Sequence, residues 1–304
     1  MTLPGISVDV GKLAKPITVF IEKISDAIGG LSKPFQTVRL AKAEAEAGII
    51  RASGQIQVQE LQRRAMNRFV EEETKKQENI EAITQAAIPL LLEGAKPQNM
   101  EDDWITNFFE KSRIVSDIEM QSLWSRVLAG EANAPGAFSK KTVNLLADLD
   151  KDDAMLFECL CRFVWKIGEE IPLIFDSNNP MLAENRINFE SLHHLASLSL
   201  INFNGLAGFV ENDLPKPTFA TYFDRSCTLE VPKHMPGLSV GKVIFTRAGS
   251  QIAKVCKSQP VDGFFEATVQ SWEQQGLLKP IAAPIEPNQD SRDIGHLTIR
   301  AKGL

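Results

Sequence analysis

Three short helical segments between Asp102 and Leu149 constrain this chain most, because their apolar residues fall at helical spacing and require a shared interior. Trp104, Ile105, Phe108 and Phe109 form one face, Met120, Leu123, Trp124, Val127 and Leu128 a second, and Val143, Leu146 and Leu149 a third. Each segment carries its own punctuation. Asn99 is placed to cap the first, with Glu101, Asp102 and Asp103 in its positive opening turn. Ser116 and Glu119 have capping-box spacing before the second, Gly130 supplies its stop, Pro135-Gly136 turns the chain, and Ser139 opens the third. Trp104, Phe108, Leu123, Trp124 and Leu128 are therefore expected in the core.

Upstream, residues 11–30 place Ile17, Phe20, Ile21, Ile24 and Ile28 on one side of a helix, with Pro16 suited to its first turn. Two readings stay open. The stripe packs on the body or on another subunit, or it lies on a membrane surface, which the nearby Lys12, Lys15, Lys33, Arg39 and Lys42 would favour. From about Leu40 to Leu92 helix breakers are scarce and Ala, Glu, Gln, Arg and Lys abound. The spacing predicts one long helix, roughly 75 Å if unbroken. Its apolar residues Val58, Leu61, Ala65 and Phe69 give way to a polar stretch at 71–79 and resume at Ile80, Ile83 and Ala87. The C-terminal end is thus expected to dock on the body, leaving the N-terminal end for another chain.

Downstream, Asp150 caps a fourth helix, expected to run through Phe157, Cys161, Val164 and Trp165. Ile171 to Phe175 reads as a short strand, Phe189 to Leu198 as a helix, and Leu200 to Val210 as a hairpin strand answered by 227–231 or 243–246. That order predicts a winged-helix-like domain. Thr246 caps a helix from Ala248 to Cys256, Phe264 to Gln275 is the last helix, and Leu297 to Arg300 a final strand.

A hydrophobic content of 43 % and a charged content of 24 % fit an ordinary globular protein, and the net charge of −6 speaks against a dedicated nucleic-acid binder. Residues 1–100 hold 13 Lys and Arg against 12 Asp and Glu, leaving −7 for the rest. The candidate recognition helix, 189–200, contains no Lys or Arg, which again disfavours DNA. Cys159, Cys161, Cys227 and Cys256 lack metal-ligand spacing, and no cofactor motif is present. With no apolar h-region at the start and no long apolar run, a cytoplasmic location is expected, peripheral to the inner membrane if residues 11–30 bind lipid.

Paired carboxylates at Asp102-Asp103 and Asp152-Asp153 sit at helix starts, where capping and the dipole explain them. His193-His194 point about 100° apart on a helix and do not chelate one metal. His234 and His296 lack a partner. Glu131 has no cap to explain it and is a candidate ion-pair partner or assembly contact.

The residues Asp102-Asp103-Trp104, Leu123-Trp124, Leu128-Ala129-Gly130-Glu131, Pro135-Gly136, Ser139 and Thr142 resemble an uncharacterised bacterial family known as a domain of unknown function and often met on prophages and mobile elements. The resemblance runs over roughly residues 11–165 and carries no catalytic residues across. More loosely, the Leu-Trp and Leu-Ala pattern is similar to the alpha proteins of abortive-infection systems, which implies phage defence by association.

The expected fold is mainly α: an amphipathic segment (1–35), a long helix or coiled coil (36–95), a helical core (96–168) and a winged-helix-like α+β domain (169–304). The expected function is non-enzymatic self-association, with Ile17, Phe20, Ile24, Leu61, Phe69 and Glu131 as interaction candidates. The partners would be a second copy, a protein from a neighbouring gene, or a membrane surface. A membrane-acting effector using residues 11–30 and a DNA-associated regulator are the alternatives.

Overall fold

The computed structural model describes residues 10–28 and 60–278, apart from 213, 233, 234 and 236. Ten helices are described: α1 (Val10–Ile28), α2 (Glu60–Ala87), α3 (Asp102–Ser112), α4 (Ile118–Asn133), α5 (Lys140–Ala147), α6 (Lys151–Cys161), α7 (Pro180–Glu184), α8 (Phe189–Ser197), α9 (Arg247–Ala253) and α10 (Phe264–Gln274). Eight strands join them: β1 (Val164–Ile167), β2 (Glu169–Pro172), β3 (Ile201–Phe203), β4 (Phe209–Glu211), β5 (Thr218–Tyr222), β6 (Arg225–Leu229), β7 (Leu238–Gly241) and β8 (Val243–Phe245).

The Trp-rich helices meet as their spacing requires. The rings of Trp104 and Phe108 stack with centroids 5.1 Å apart, and Trp124 meets Phe108 edge-on at the same separation. Trp104, Phe108, Leu123, Trp124 and Leu128 are all buried. The Trp104 indole N–H donates to the Phe138 carbonyl at 2.7 Å, so this large side chain buries its polar atom with a partner.

The expected architecture, mainly α with a long N-terminal helix and a winged-helix-like C-terminal domain, is overturned. The described residues form a mixed α+β fold with three small antiparallel sheets: β2-β1-β5-β6, β3-β8 and β4-β7. A long N-terminal helix is not evident among the described residues, where α1 has 19 residues and α2 has 28. The portion of that expected helix at 40–59 lies outside the described residues, as do the expected strand at 297–300, His234 and His296.

The physical reason for the correction lies in β1. The fourth helix stops at Cys161, and Val164-Trp165-Lys166-Ile167 alternates out and in, pairing with β2 across Gly168 at φ +71°. The boundary expected between 168 and 169 therefore falls at the turn of a hairpin. Trp165 then stacks with Tyr222 of β5 and meets Trp272 of α10, so the largest sheet and the last helix share an aromatic interior. Strand β3 pairs with β8, Ile201 opposite Phe245, and β4 with β7, where a lone wing hairpin was expected.

Several caps are where the sequence puts them. Ser139 accepts the Thr142 N–H at 3.2 Å, Asp150 and Asp153 form a capping box on α6, and Thr246 accepts the Gly249 N–H at 3.0 Å. Others shift. Asp117, not Ser116, caps α4, and Asn99 lies in a short 3-10 turn while Glu101 precedes α3. Pro16 lies inside α1, not in its first turn.

Candidate functional site

The distinctive motif residues turn out to build a junction. Glu131, near the end of α4, is buried, and its carboxylate accepts the Gly136 N–H at 2.6 Å and the Phe138 N–H at 2.9 Å. It closes the turn made by Pro135 and Gly136, the latter at φ +89°. Burial raises its pKa above the ordinary carboxylate value, while the backbone donors of Gly136 and Phe138 pull the other way. The interaction candidate Glu131 is thus a clamp inside the chain, and the cap missing from the linear sequence is supplied by residues beyond it. Gly130 is required beside it, since a Cβ there would lie 2.6 Å from the Phe138 ring.

The same turn hands the chain to distant elements. The Ser139 N–H donates to the Gln251 side-chain oxygen at 3.0 Å, and the Thr142 hydroxyl donates to that oxygen as well. Gln251 belongs to α9, so one amide carbonyl ties α5 to a helix more than a hundred residues later. Sequence reasoning missed Gln251 because nothing local marks it.

The remaining chemistry-bearing residues are dispersed. Asp102 pairs with Lys23 and Asp103 with Lys140, and His194 lies 2.6 Å from Asp153. His193 packs against Phe189 and Phe203. The four cysteines are free thiols, and no group of three His, Cys, Asp or Glu suited to a metal exists among the described residues.

The interaction candidates divide. Phe20 and Ile24 are fully buried and Ile17 packs against the same core, so α1 docks on the body around α3 and the 3-10 turn at 97–99. Of the two readings for its stripe, packing on the body is the one observed, and a membrane would have to pull these side chains out. Ile24→Asp is expected to lower the unfolding free energy by about 3 kcal/mol, read by urea titration, since it buries a charge without a partner. No described helix is long and apolar enough to cross a membrane.

Leu61 and Phe69, by contrast, are 68 % and 59 % exposed, with Met66 beside them at 53 %. At roughly 100° per residue, Leu61, Ala65 and Phe69 point to the same side of α2 as Ile80, Ile83 and Ala87. The last three are buried on the part of the helix that packs against α4; the first three are exposed. One apolar stripe therefore runs the helix, docked at its C-terminal end and bare at its N-terminal end. Beside the bare stripe, Arg63 pairs with Glu60 at 2.7 Å and Arg68 with Glu72 at 3.4 Å.

A mixed α+β body carrying a clamped helical junction and a partly undocked helix is the class that fold and site define. The chain belongs to the family described as "Protein of unknown function (DUF2806)", which matches residues 63–268, well over half its length. The match begins within α2 and ends within α10; it covers the 11–165 region of the resemblance only from residue 63 and extends past its end. No curated protein and no solved structure matches it.

Proposed function

We propose that this protein is a non-enzymatic, self-associating interaction protein, with the bare half of α2 as contact surface and a second copy as occupant. The observation that carries the reading is the stripe of Leu61, Ala65 and Phe69, which continues the docked face of the same helix beyond the body. Exposed apolar side chains gain when a partner removes them from water, so this half gains from a partner. Its composition suits a copy of itself. The small Ala65 sits midway between two large apolar residues, as contact across a two-fold axis favours, and the flanking charges are already paired along the helix and add little repulsion.

Light scattering tests the reading. The full chain is expected as a dimer or larger species, and the Leu61→Glu, Phe69→Glu double variant as a monomer with unchanged thermal unfolding. Equal masses for the two would reject it. The setting we propose, phage defence or another mobile-element function, rests on the likeness to abortive-infection alpha proteins. Its test is phage plating on cells expressing the wild type or the double variant, where protection by the wild type alone is expected.

A further inference from the structure

Arg126 occupies a position that self-association does not explain. It lies on α4, half-buried where α4, α6 and the segment after α9 enclose a cleft of about 200 Å³. Its Nε donates to the Val255 carbonyl, and its Nη1 to the Ser122 hydroxyl at 2.9 Å. These contacts hold the guanidinium in one orientation, and its other N–H groups donate to no further partner among the described residues. No carboxylate among the described residues lies within ion-pair distance of it. Burial works against its charge, lowering its pKa, and Cys256 and Glu158 offset this only in part.

The walls supply the rest of a specificity. Met120, Leu123, Ala154 and Met155 form an apolar side, and Lys257 adds a second cation that forms no ion pair among the described residues. Lys151 is already engaged, at 2.8 Å from Glu119 and 3.2 Å from Asp117. Buried charges are ordinarily paired, and the planar guanidinium fork matches a carboxylate with two parallel hydrogen bonds. Glu119 and Glu158 at the cleft repel a second negative charge, which disfavours a phosphate dianion.

We infer that this cleft is a binding site for a small organic monocarboxylate, its carboxylate on Arg126 and its apolar body against Met120, Leu123 and Met155. The ligand meets the protein away from the bare stripe of α2, so the inference stands apart from self-association.

The test is a panel of short-chain and aromatic monocarboxylates, including hexanoate and benzoate, with their primary amides and inorganic phosphate as controls at matched ionic strength. It is run on the full chain by thermal shift and by protection of Cys256, which lines the same cleft, from iodoacetamide. Acids are expected to bind saturably at millimolar concentration, amides and phosphate about tenfold more weakly or not at all. Arg126→Gln is expected to erase the preference for acids. If Arg126→Gln does not fold, Met155→Trp decides: it fills the cleft from a residue that is 40 % exposed and leaves the guanidinium in place. Acid binding lost in a folded Met155→Trp protein supports the site. A panel without any saturable acid, or acid binding unchanged in Met155→Trp, overturns it.

Discussion

Glu131→Ala is expected to lower the free energy of unfolding by about 1–3 kcal/mol, because the buried Phe138 N–H loses its acceptor and an unmet buried donor costs roughly that much, while the Gly136 N–H, on an exposed residue, turns to water. Urea titration against wild type reads the effect. Glu131→Gln separates charge from shape. One of its two positions becomes an NH2 group facing a backbone donor, so it recovers only part of the loss. The pH dependence carries a further signature. Burial raises the carboxyl pKa from its ordinary 4.5, so the folded state binds more protons than the unfolded state between that value and the raised one. This contribution to stability is fully present below pH 4.5 and is lost as pH rises through the folded value. Glu131→Gln should lack that fall. A Glu131→Ala protein as stable as wild type would remove the clamp from the account.

Gly249→Ala is expected to do more damage. Gly249 lies in the first turn of α9 with its Cα against the backbone of Leu200, just before β3, and an added Cβ would lie 1.8 Å from the Leu200 carbonyl oxygen. That oxygen cannot retreat easily, since it also accepts the Thr246 N–H at 3.1 Å and the Thr246 hydroxyl at 3.2 Å. The helix must move, and with it Gln251, whose side chain holds Ser139 and Thr142. The expected loss exceeds about 3 kcal/mol, at the upper end of overpacking effects, with weak expression or a lowered melting temperature as the readout. A well-folded Gly249→Ala protein with wild-type melting would show that the contact between α9 and the Leu200 backbone is looser than the structure has it.

These two predictions mark where sequence reading succeeds and where it stops. Helix faces and caps were legible because the signals lie within one turn: Trp104 and Phe108, Leu123 and Trp124, Ser139 with Thr142, Thr246 with Gly249. Glu131 was visible as an unexplained carboxylate. Its partners lie five and seven residues on, brought back only by the folded turn at Gly136, so no local pattern revealed the clamp. The sheets were harder still. Strands of three to five residues carry little periodicity, and β1 pairs with β5 more than fifty residues away. The order helix, strand, helix, hairpin suggested a wing because β1 and β5 were not in view and the strand read at 227–231, part of β6, pairs with β5 instead of with Leu200 to Val210. On α2 the stripe at Leu61, Ala65 and Phe69 was legible, and the structure adds that it stays bare while its continuation at Ile80 and Ile83 is buried.

Cross-linking at the centre of that stripe tests the central claim most directly. In a two-fold pair Ala65 faces its own copy, whereas Asn67 points to the far side of the helix, about 200° away. Under mild oxidation Ala65→Cys is expected to give a disulfide-linked dimer on a non-reducing gel, and Asn67→Cys and wild type only monomer. Monomer for all three, or equal dimer from Ala65→Cys and Asn67→Cys, would contradict an interface on this face of α2.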